Sequence, residues 1–243
     1  MSAAAAARPE QLSVRRARRH PALLGVAVLF ALAVLARATF SAWHPPLDQH
    51  IYDVADIRSH GPNTWLLMHA LVGGPGVAVA LTGLAVLVGV ACPGRGSALA
   101  AVGGVLASLG GLAFCAAMAA EGVSWWYATA DGVLPPAVGA EAMGAFAAHP
   151  LPIDVPALGG SLTAALGVLL LLGALWRAAV APRWLVLSTA VLALITTLRL
   201  PTALVAAQAV AEAAALLALG WYALRAAGDH ARSAGISPAQ APR

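Results

Sequence analysis

A carboxylate is costly in hydrocarbon, yet Glu212 lies ten residues past Thr202 in a run dominated by alanine and leucine. At about 1.5 Å of helical rise per residue, that places the carboxyl roughly 15 Å deep, beyond the reach of snorkelling to a headgroup. Such a group must be neutral, paired or hydrated, and a functional role is the default reading for it. Gln208 stands one helical turn earlier on the same face, so the two define a polar stripe that should face the interior of a bundle.

Other ionisable groups fall in the outer half of their spans or at its edge. Arg37 precedes Trp43 by six residues, about 9 Å below that boundary, and is nearest in depth to Glu212. His69 lies about 7 Å below its own outer boundary, while Glu121 and Arg199 close the outer ends of two further apolar runs. Together Arg37, His69, Glu121, Arg199, Gln208 and Glu212 are read as the lining of a polar cavity opening outward. Glu212 would carry a proton or pair with Arg37; His69 and Glu121 would supply an acid and a base if the protein were an enzyme. The plainer alternative is that Arg37 and Arg199 snorkel, Glu121 is in water, and His69 bonds a carbonyl.

The remaining chemistry-bearing residues are less specific. His44, Asp48, His50, Asp53, Asp56 and His60 crowd into one connection, and imidazoles with carboxylates suit a divalent metal. Their spacing fits no ligand motif, and residues 47 to 58 read better as an amphipathic helix, with Leu47, Ile51, Val54 and Ala55 on its apolar face. No metal is assigned there. Trp125, Trp126 and Tyr127 form an interfacial aromatic group, with sugar or headgroup binding as the alternative. Cys92 and Cys115 fall about 27 Å apart along the helical rise, which excludes a disulfide. There is no H-E-x-x-H, G-x-S-x-G or G-x-x-x-x-G-K-[ST] pattern, and the fourteen basic residues are all arginine, so lysine chemistry is excluded. No cofactor is implied.

The elements that hold these residues follow from composition. Sixty per cent of the 243 residues are hydrophobic and 10% are charged, with mean hydropathy +0.82; a soluble domain carries about 25% charged residues. The expectation is an all-α polytopic transmembrane bundle of six spans, at about 21–43, 65–91, 97–120, 157–176, 184–200 and 202–224, each long enough to cross about 30 Å of hydrocarbon. Within this membrane domain of 21–226, the outer loops are 44–64 and 121–156, and residues 1–20 and 227–243 are read as disordered tails. Trp43, Trp65, Trp176, Trp184 and Trp221 mark the interfaces.

Arginine placement orients the chain. Both termini in the cytoplasm leave eleven of the fourteen arginines inside. The long connections, carrying Asp48, Asp53, Asp56, Glu121, Asp131, Glu141 and Asp154, then face outward. Val133 to His149 is too polar and short for a seventh span and reads as interfacial or re-entrant. The first span also resembles a signal peptide with Ala36-Arg37-Ala38 at a cleavage position, although its apolar character resumes through Trp43.

Two backbone signals complete the reading. Gly73, Gly74, Pro75 and Gly76 should kink or unwind the second span, as at transporter sites or for packing alone. Gly103, Gly104, Gly110 and Gly111 recur among alanines and make the third span central. Pro150 to Pro156 reads as an irregular link. Three functions fit: a small permease-like or ligand-binding component, a membrane-embedded enzyme acting on lipid or envelope substrates at the outer face, and a scaffold docking helices along the glycines of span three. The partners implied are the bilayer of the cell membrane, a prokaryotic cytoplasmic membrane, a small-molecule ligand, and a membrane-protein partner or second copy. The basic residues border apolar runs and form no aromatic-interleaved patch, so nucleic acid is excluded as a partner.

Overall fold

The computed structural model describes residues 9–44, 54–195 and 202–233. Every regular element among them is helical: α1 Pro9–Trp43, α2 Val54–His60, α3 Pro62–Leu66 continuing as a π-helix over Leu67–Gly73, α4 Gly74–Ala91, α5 Ser97–Thr129, α6 Pro136–Ala148, α7 Leu151–Ala178, α8 Arg183–Ile195 and α9 Thr202–Ser233. Five stretches are long and apolar enough to cross a membrane: Pro21–Trp43, Pro62–Ala91, Ser97–Thr129, Leu151–Ala178 and Leu204–His230. The chain is a multi-pass helical membrane protein.

Of the six expected spans, the one at 184–200 falls partly outside the described residues. Its described part lies in α8, which covers 13 residues, about 20 Å of rise. Residues 196–201 lie outside the described ones. The third span is longer than expected, because nothing in Gly122–Thr129 breaks a helix and a single carboxylate at Glu121 does not end one. Glu121 and the Trp125–Tyr127 group are therefore helical and not in a loop. The link expected at 150–156 is also corrected: α7 begins at Leu151 with Pro152 in its first turn, where the missing N–H would have had no partner anyway. α1 starts at Pro9 and α9 ends at Ser233, so helix extends into both segments expected as tails.

α5 is central, packed between α4 and α7. A methyl built on Gly103 would meet Gly167 O at 2.8 Å, and one on Gly160 would meet Gly110 O at 2.8 Å. Only hydrogen at these positions lets the two backbones touch, which is how transmembrane helices gain dispersion contact without a hydrophobic driving force. The other side of α5 seats α4, with Gly111 against Ala78 and Gly104 against Ala85. α1 lies in the groove between α4 and α9, keyed by Phe30, which rests on Gly83 and Gly220.

α1 and α9 run antiparallel: Arg37 meets Glu212 and, further toward the N-terminus, Phe30 meets Gly220. The start of the first span and the end of the last therefore share one end of the bundle. Gly96 packs on Ala174, so the Arg95 turn and the end of α7 lie together. At the opposite end, Arg58 Nε donates to Thr129 O at 3.2 Å, where α5's carbonyls present their partial negative charge. Trp126 Nε1 donates to Asn63 Oδ1 at 2.7 Å, and α6 lies across α5 with Gly139 against Ala128 O.

α2 is the described part of the expected amphipathic helix; residues 45–53 lie outside the described ones. Its fully buried residue is Ile57, and with Val54 it packs on Trp65 and Met143. The helix caps the bundle through that pair, a face rotated from the expected one.

Candidate functional site

The polar positions separate into three places. Arg37 and Glu212 converge: Nη2 donates to Oε1 at 2.7 Å, with the side chains 22% and 13% exposed. Arg37 reaches α9 because Gly76 of α4 lets α1 approach; a methyl on Gly76 would lie 3.0 Å from Arg37 N. The bond spans 175 residues of sequence. Taking two charges out of water is offset only when they meet, so the pair holds α1 and α9 at one depth.

This pair forms part of the wall of a cavity of about 460 Å³ whose lining includes Phe40, Ser41, Phe114, Leu158, Ser161 and Thr189. The volume falls in the range of pockets that hold small molecules, about 300–1,000 Å³. The hydroxyls of Ser161 and Thr189 donate to carbonyls of their own helices, Ala157 O at 2.7 Å and Leu185 O at 2.8 Å, leaving oxygen lone pairs for a guest. The charge in the cavity wall is the Arg37–Glu212 pair, and most other lining residues are apolar.

Gln208 is half-buried one turn outward on α9 and is not among the lining residues. His69 is elsewhere. It is fully buried in an aromatic cluster, stacked on Trp65 at 4.7 Å and edge-on to Phe40 at 5.1 Å, with His44 at 5.2 Å. Its Nδ1 lies 2.9 Å from Trp65 O; because a carbonyl only accepts, Nδ1 carries a proton. Nε2 has no hydrogen-bond partner among the described residues. Glu121 is also buried, and Asp154 in the first turn of α7 is near enough to act on it electrostatically. Among the described residues no hydrogen bond or ion pair joins Glu121 to His69. Arg199 lies outside the described residues. Among them no group of three or more His, Cys, Asp or Glu could hold a metal, and Cys92 and Cys115 are free thiols.

The glycine-proline segment breaks the second span by register and not by unwinding. Gly74 N–H bonds His69 O, five residues back, so the π-helical turn admits one extra residue just before Pro75. Pro75 offers no N–H, and its ring would crowd the carbonyl four residues earlier; widening the turn relieves both. The glycines keep ordinary right-handed backbone and supply space: Phe40 lies on Gly73, and Cys115 lies 3.1 Å from a methyl built on Gly74.

Sequence reading missed Phe40, Ser41, Ser161 and Thr189 as lining residues. Ser41 was readable, being one turn beyond Arg37 on the same face; the others depend on which helices become neighbours. Compared with protein families, curated proteins and solved structures, the chain matches none.

Proposed function

We propose that the chain is a permease-like, ligand-binding protein of the cell membrane, oriented with both ends in the cytoplasm, and that the Arg37–Glu212 cavity is its site. The observation that carries this reading is the incomplete use of the pair. Among the described residues the guanidinium makes one of its five hydrogen bonds and the carboxylate accepts at one oxygen. A purely structural ion pair in an apolar setting gains most when both groups are saturated. Here the spare donors border an open volume. The orientation rests on the arginine asymmetry.

Two other functions receive less support. An acid–base pair of His69 and Glu121 needs the two side chains to act on one substrate, and among the described residues no hydrogen bond or ion pair joins them. A scaffold docking on span three needs its glycines free, and α4 and α7 cover them.

The test is a stabilisation screen on the purified protein with cationic, anionic and neutral amphiphiles and small polar solutes. At least one chemical class should raise the Tm of the wild type and leave the Arg37→Gln/Glu212→Gln double variant unmoved. If none separates the two proteins, the cavity is not a ligand site.

A further inference from the structure

The cavity walls constrain both the chemistry of a ligand and its route of entry. Leu158 and Leu162 line the cavity and are at the same time 64% and 58% exposed. A side chain that both lines a cavity and faces outward marks a mouth. On α7 these positions lie 7 and 11 residues past Leu151, about 10 to 17 Å along the helix, within the stretch Leu151–Ala178 long and apolar enough to cross the membrane. The mouth therefore opens sideways to lipid.

α8 forms part of the wall beside this mouth. It packs on both α7 and α9 and contributes Thr189 and Ala193 to the lining. From mouth to interior the lining passes from leucine to the guanidinium of Arg37, four of whose five N–H donors have no partner among the described residues. An apolar channel ending in a cation matches a molecule with an apolar chain and an acidic head. Burying one more full charge beside the pair would be costly. An acid arriving uncharged from hydrocarbon avoids that, because Arg37 then faces two carboxyl groups sharing one proton and the total charge is unchanged.

We infer that the cavity takes a single-chain amphiphilic carboxylic acid, admitted laterally from the bilayer between α7 and α8, with its head on Arg37 and its chain along Leu158, Leu162 and Leu216. This inference rests on the cavity being the ligand site, as proposed above.

The experiment uses the full chain in nanodiscs of zwitterionic lipid with a spin-labelled long-chain carboxylic acid. The expected result is an immobilised spectral component at one probe per protein. Its affinity should fall at least about tenfold in Arg37→Gln/Glu212→Gln, the worth of a hydrogen bond to a charged group, and several-fold in Leu162→Trp, which narrows the mouth and leaves the pair intact. A matched alcohol should compete at least about tenfold more weakly than the acid. Equal competition by the alcohol, or by a short water-soluble carboxylate, would overturn the inference while leaving the cavity as a ligand site. An immobilised component insensitive to both variants would overturn it by placing the probe on the lipid-facing surface. If neither this probe nor any class in the stabilisation screen responds to the double variant, the functional reading falls as well.

Discussion

Arg37 Nη2 and Glu212 Oε1 lie 2.7 Å apart, joining α1 to α9 in the wall of the cavity described above. Each charge is tolerated there because of the other. Glu212→Gln alone should therefore destabilise the protein by about 3 kcal/mol, since it strands a guanidinium in an apolar wall. Arg37→Gln alone should cost a similar amount. The double variant should cost less than the sum by more than about 1 kcal/mol. Thermal or denaturant unfolding in detergent measures this, and additive losses would mean that the two groups do not interact.

Packing of α5 on α7 gives a second prediction. Gly110 and Gly167 leave no space, being seated against the backbones of Ala164 and Ala107, whereas Gly89 and Gly144 have nothing within 4 Å of an added methyl. Gly110→Ala and Gly167→Ala should each destabilise by about 1–3 kcal/mol through overpacking. Gly89→Ala and Gly144→Ala should be neutral or slightly stabilising, because alanine favours helix. Equal melting temperatures for the four variants would contradict the observed interface.

The π-helical turn gives a third. It holds Trp65 and His69 in the aromatic cluster by adding one residue to the helical register before Pro75. Deleting Val72 should restore α-helical register and rotate everything before it by about 100° relative to α4. Trp65 and His69 would then leave the cluster, and tryptophan emission should shift to the red as buried Trp65 becomes exposed. An unchanged spectrum would show that the turn does not set the cluster.

Sidedness is the fourth. Ser59 and Ala140 are exposed at one end of the bundle and Ser97 at the other, and the arginine distribution assigns the first end to the outside. Single cysteines at Ser59 and Ala140 should react with an impermeant thiol reagent in intact cells. A cysteine at Ser97 should react only after the membrane is opened. The reverse pattern would invert the topology.

Sequence alone determined that the chain is a helical membrane protein, because the length and composition of apolar runs are local properties and hydrocarbon permits few other solutions. It also marked Arg37 and Glu212, since the cost of a charge in hydrocarbon depends on depth, which is countable along a helix. It did not set where helices end: Glu121 was read as a boundary and is helical, and Pro152 was read as a breaker and opens α7. Those outcomes depend on neighbours and on whether a missing N–H falls in a first turn. Tertiary structure alone decided that Arg37 meets Glu212 while His69 and Glu121 go elsewhere. Convergence depends on the rotation of each helix about its own axis, and that rotation is set by which small residues let which backbones touch, as Gly76 does for Arg37 and Gly122 for His69.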